Sequence, residues 1–138
     1  MEKALKHCIL FALGGIFYLL IELLWRGYSH WSMFVLGGVC FVILGLINEF
    51  FTYEIPLFLQ MLIGAFVITL LEFITGYIVN IKLHLNVWSY ADMPYNIMGQ
   101  VCLLYTILWF FMSSACIVVD DWLRYMFFDE EKPHYKLF

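Results

Sequence analysis

The sequence predicts an all-α integral membrane protein, a bundle of four transmembrane helices. Three observations carry that prediction. Of 138 residues, 64% are hydrophobic and 13% are charged, with a mean hydropathy of +0.90, whereas a soluble domain carries about 25% charged residues. Four apolar stretches reach the roughly 20 helical residues needed to cross a hydrocarbon core of about 30 Å. None of them shows the period-2 alternation of a membrane barrel, and lipid offers isolated strands no backbone partners.

The first helix is expected near Lys6–Trp25, behind Lys3 and Lys6. A signal peptide can begin this way, but no small-residue cleavage pattern follows, and the run ends in Glu22, Trp25 and Arg26. It is therefore expected as a retained span. The second, third and fourth spans are expected near Trp31–Phe51, Pro56–Ile81 and Tyr95–Val119. Residues of about 120–128 mix Trp, Arg, Tyr and Phe with acids, which reads as a helix extension or an amphipathic segment in the interface. The whole chain, 1–138, is expected to be one membrane domain.

Orientation follows from the basic residues. Lys3 and Lys6 precede the first span, and Arg124, Lys132 and Lys136 follow the fourth, while the opposite loops hold only Arg26 and Lys82. The positive-inside rule then predicts both termini in the cytoplasm, with the short loop Thr52–Glu54 facing inward.

The net charge of −4 excludes a basic surface for nucleic acid. Asp120, Asp121, Asp129, Glu130 and Glu131 are expected as a solvated stretch after the last span. Cys8, Cys40, Cys102 and Cys116 read as small buried hydrophobes, and His7, His30, His84 and His134 are too scattered to suggest a metal site. No cofactor is called for.

An internal echo suggests a duplicated helical hairpin. Gly14 and Leu20-Ile21-Glu22 correspond to Gly64 and Leu70-Leu71-Glu72, and Tyr28 through Gly37 follows the order of Tyr90 through Gly99. Gly14-Gly15, Gly37-Gly38, Gly45 and Gly64-Ala65 are small residues of the kind that let membrane helices approach closely.

The informative residues are those that hydrocarbon rejects, since a charge at mid-bilayer costs roughly 3 kcal/mol or more. Tyr18, Glu22 and Arg26 share one face of the first span, and Glu72, Gly76 and Asn80 share one face of the third, with Asn96 and Gln100 on the fourth. These stripes are expected to converge on an outward-facing polar cavity roofed by the two outer loops. Glu22 is a salt-bridge partner for Arg26 at i+4 or part of the site. Glu72 has no basic neighbour one turn away, so it is a neutral hydrogen-bonding carboxyl or a group that binds a cation or exchanges a proton. Trp25, Trp31, Trp88 and Tyr90 read as an interfacial aromatic belt, and Trp88 and Tyr90 also suit an organic cation. Ser29-His30 lacks a nucleophile elbow and is read as an interface anchor. The candidate ligand-binding residues are Glu22, Arg26, His30, Glu72, Trp88, Tyr90, Asn96 and Gln100.

Three blocks carry a family resemblance: Glu22 through Met33, Glu72 through Asn80, and Trp88 through Gln100. Together they resemble the small bacterial multi-pass proteins classed as ABC-transporter permeases of type IV. The resemblance implies transport across the bacterial plasma membrane. It also implies Asp and Ser where this chain has Ser89 and Ala91.

Three functions remain open. The first is a transporter, or its membrane subunit, for a small polar or cationic solute. The chain has no GxxxxGK phosphate loop, so ATP dependence requires a separate ATPase subunit, and proton coupling through Glu72 or Glu22 is the self-contained alternative. Four helices are few for a complete pathway, which favours a homodimer. The second is a non-transporting module that binds a lipid or protein partner. The third and least favoured is an intramembrane enzyme using Glu72, His30 or Asp92 as acid or base.

Overall fold

The computed structural model describes residues 2–51 and 54–135; Thr52 of the loop expected to face inward and Lys136 of the expected basic tail lie outside them. Four long helices form the molecule: α1 (Glu2–Arg26), α2 (Trp31–Phe51), α3 (Leu57–Gly76) and α4 (Leu103–Phe128). All four are long and apolar enough to cross a membrane. α3 continues without a break into a π-helical turn, Tyr77–Lys82.

α2 is the centre of the bundle and the most buried of the four. It packs on α1, α3 and α4, while α1 leans almost entirely on α2. The glycines explain how closely the helices approach: Gly14 faces Phe41, Gly37 faces Tyr18, and Gly64 faces Ser113 and Leu44. Leu44 and Ile117 are fully buried, in a core with Met33, Leu36 and Ile68. α3 meets α4 through the Thr69 and Thr106 hydroxyls, 3.1 Å apart, and through the Phe58 and Phe110 rings.

Two expectations are corrected, the start of the fourth span and the solvation of Asp120 and Asp121, while the helix extension expected over 120–128 is present. The helix begins at Leu103, not Tyr95, because residues 96–102 form a short antiparallel hairpin, Asn96–Ile97 (β1) with Val101–Cys102 (β2). Its turn is closed by Gln100 N–H donating to Ile97 O at 3.0 Å, with Met98 and Gly99 at positive φ. At the other end the helix runs unbroken to Phe128 and stops where Asp129 takes a left-handed conformation. Residues 120–128 are therefore the last turns of α4. Asp120 and Asp121 are fully buried and Arg124 is 2% exposed, so these acids are not solvated.

Candidate functional site

Polar side chains gather in three places. At the end of the bundle that holds the loops 27–30 and 83–102, α1 is pinned to the long connection. Arg26 Nε donates to Glu22 Oε2 at 2.6 Å, its Nη1 donates to Val87 O at 3.0 Å, and its guanidinium lies over the Tyr28 ring. The expected Glu22–Arg26 pair is present, and it also fastens α1 to the loop.

That loop is built around Asn80. Its Oδ1 accepts the N–H of Val87 at 2.6 Å and its Nδ2 donates to Gln100 Oε1 at 2.8 Å. Gln100 Nε2 donates to Met98 O, and the Trp88 indole N–H donates to Gln100 O at 2.9 Å. Asn96 holds the start of the hairpin, accepting from Gly99 N–H and donating to Met93 O. A Cβ at Gly76 would collide with Gln100 Oε1 and the Trp88 ring, so only glycine lets the loop settle on α3. The π-helical turn falls where Asn80 must face the loop, and such turns recur at sites with special side-chain demands.

Asn80, Trp88, Asn96 and Gln100 thus satisfy one another and backbone groups instead of lining a polar cavity. His30 is separate again. Its Nδ1 accepts the Ser32 N–H at 3.2 Å and pairs with Ser32 Oγ at 2.8 Å, which caps the first turn of α2.

Glu72 is different. It is 3% exposed and lies within the third membrane-capable span, Leu57–Lys82, about 15 Å along the helix from Lys82. Its carboxylate accepts from the Tyr90 hydroxyl at 3.3 Å and from the Trp109 indole N–H at 3.4 Å, both neutral donors. Tyr90 stacks on Tyr105 with ring centroids 4.9 Å apart. Burial, then the neighbouring Glu72 carboxylate, push the Tyr90 phenol well above its ordinary range, so it remains a donor.

Glu72 borders a cavity of about 380 Å³ between α1, α2 and α4. The remaining wall is almost wholly apolar, including Phe17, Leu20, Ile21 and Leu24 of α1 and Met112 and Val119 of α4. This departs from the polar, loop-roofed cavity expected from the sequence. The physical reason is that the loop's polar groups are consumed by its own fold, while the loose fit of α1 against α4 leaves a gap deeper in the bundle. Of the eight candidate residues only Glu72 lines that cavity; Tyr90 reaches it through Glu72.

The third cluster, at the end holding the chain termini, was missed by sequence reasoning. Arg124 donates through Nε to Asp120 at 2.8 Å, through Nη1 to Glu130 at 2.6 Å, and through Nη2 to Gly45 O at 3.1 Å and to Asp121. Asp121 also accepts from Asn48 Nδ2 at 2.6 Å and from Tyr135 at 3.0 Å. Lys6 bridges Glu49 and Glu130, and His7 faces Glu49 at 3.1 Å. α1, α2, α4 and the segment after α4 are thereby tied together. The available signal was the i,i+4 spacing of Asp120 and Arg124 on an apolar helix.

Residues 8–132 match the family model described as Putative ABC-transporter type IV, which covers nearly the whole chain. No curated protein and no solved structure matches.

Proposed function

The chain belongs to the family described as Putative ABC-transporter type IV, and from that premise we propose that it is the membrane-spanning component of a transport system that holds a cationic solute at Glu72. One observation supports this reading above the others. A buried carboxyl with two neutral, long hydrogen bonds borders an otherwise apolar cavity inside the bundle. An acid in that setting is expensive, and acids within membrane spans mark solute or proton pathways.

Within this reading Tyr90 and Trp109 orient the carboxyl. Asn80, Trp88, Asn96 and Gln100 hold the long connection over the bundle, and Glu22 and Arg26 fasten α1 to it. His30 sets the start of α2. Of the two solute classes the sequence allowed, the cationic one suits a wall with one carboxyl and few other polar groups. The sequence carries no phosphate loop, so ATP hydrolysis comes from a separate subunit. The termini face the cytoplasm of a bacterial plasma membrane, as the basic residues direct. Two copies would line a passage from both sides; one suffices to build the Glu72 site.

Inverted membrane vesicles from the source cells retain an ATPase partner and test the proposal directly. ATP-driven accumulation from a mixture of labelled organic cations is expected for the parent and is lost in Glu72→Gln. Equal accumulation in vesicles lacking the chain overturns it.

A further inference from the structure

We propose that the Glu72 cavity seats a lipid-soluble organic cation, a single positive head on an apolar body, which enters sideways from the bilayer between α1 and α4. The inference rests on the reading of Glu72 as a ligand contact and adds to it the chemical class and the route.

The route follows from the packing. α1 leans on α2 and has little contact with α4; the Tyr18 and Trp109 rings, 6.2 Å apart edge to face, cross the gap. The wall residues Leu20, Leu24 and Val119 are 51%, 89% and 41% exposed, so the cavity opens on the outer surface of the helices, which is where lipid lies. Along α1 it extends from Gly14 to Leu24, a rise of about 15 Å, or roughly the depth of one leaflet. Its volume falls in the range of small-molecule pockets.

The class follows from the chemistry of the wall. A sugar, an amino acid or a hydrated ion would lose its water to apolar side chains that return no hydrogen bonds. An apolar body loses nothing there. The head is selected by charge. The titratable groups facing Glu72 are Tyr18 and Glu22 of α1, Cys40 of α2 and Tyr90 of the long connection, with Cys116 of α4 also on the wall. None is basic. Arg26, one turn beyond Glu22 on α1, is engaged by Glu22 and Val87 O. An anionic head would meet the Glu72 carboxylate, whereas a cation meets that carboxylate beside the Tyr18 and Trp109 rings of the same wall.

The test uses the full chain in phosphatidylcholine nanodiscs, with labelled dodecyltrimethylammonium measured against empty discs. Saturable binding of one molecule per chain is expected, weakened at least tenfold in Glu72→Gln and restored in part by Glu72→Asp. Ala115→Trp, at an exposed wall position, fills the cavity and is expected to abolish binding with Glu72 intact. Tetramethylammonium, dodecanol and dodecyl sulfate should each bind at least tenfold more weakly. Equal binding of dodecanol removes the role of charge and overturns the proposal. Equal, Glu72-dependent binding of tetramethylammonium overturns the lipid-soluble class while leaving Glu72 as a cation contact. No saturable binding of either cation by a folded parent overturns both readings.

Discussion

Replacing Arg124 by Met tests how the terminal end of the bundle is held. The guanidinium is 2% exposed and makes four hydrogen bonds, to Asp120, Asp121, Glu130 and Gly45 O. Met approximates its volume and removes its charge. Asp121 would keep Asn48 and Tyr135 as donors. Asp120 would keep none of its present ones, and its Oδ1 is already unpartnered. Breaking a buried ion pair by removing one partner costs about 3–5 kcal/mol, because a charge is left in low dielectric. That is roughly two to four decades in the ratio of folded to unfolded protein. Reversible SDS unfolding in mixed micelles, followed by circular dichroism, measures it. Adding Asp120→Asn and Asp121→Asn to Arg124→Met should recover about 1 kcal/mol or more, since the penalty is uncompensated charge. Arg124→Lys should fall between parent and Met, as one ammonium cannot reproduce a planar fork spread over four acceptors. An Arg124→Met protein within about 0.5 kcal/mol of the parent, the range of an ordinary surface change, would refute the claim that this cluster holds the helices together.

Three further outcomes follow from the geometry. Gly45→Ala places a Cβ against the Asp120 carboxylate, and the same unfolding assay should show a loss of about 1–3 kcal/mol from overpacking. Asn80→Leu leaves the Val87 N–H without its acceptor, a cost of about 1–3 kcal/mol; hydrogen exchange at Val87 and Trp88 should quicken while α2 is unchanged. Tyr90 ionises less readily folded than unfolded, so its contribution to stability is complete below about pH 10, the free phenol value, and falls as pH rises above that. Tyr90→Phe should flatten this alkaline decline, and an unaltered decline would contradict the burial of the Tyr90 phenol beside Glu72.

Helix-scale features were legible because lipid imposes them one segment at a time. Length and apolarity alone locate α1, α2 and α3 to within a few residues at most boundaries, and the Glu22–Arg26 pair follows from helical spacing. The start of α4 was not legible. Tyr95 through Val119 is one apolar run, and the turns that break it place Tyr95 and Met98, not only Gly99, at positive φ. Nothing in those residue types announces such a conformation. The terminal ion cluster was hidden for a different reason. Its partners are far apart in the chain, Lys6 with Glu130 and Asn48 with Asp121, and acids near a chain end read as solvated until tertiary contacts bury them.

The same distinction explains why the site was read only in part. A polar residue in a membrane span must be satisfied, and the sequence reveals the demand but not who meets it. For Asn80, Asn96 and Gln100 the demand is met by the backbone of a single connection, so their stripe on a helical wheel was structural. For Arg26 it is met by Glu22 and Val87 O, and for Arg124 by three acids and a carbonyl. Glu72 is met by two long hydrogen bonds from aromatic side chains and, among the described residues, by no salt bridge. Tyr90→Phe and Trp109→Phe probe that difference. If the two donors serve to position a ligand contact, each variant should weaken dodecyltrimethylammonium binding several-fold and leave the unfolding free energy within about 1.5 kcal/mol of the parent's, the net worth of a typical hydrogen bond. If they serve only to neutralise a stranded acid, stability should fall and binding by the folded fraction should be unchanged. That second pattern would reduce Glu72 to a packing residue and remove the foundation of the transport reading.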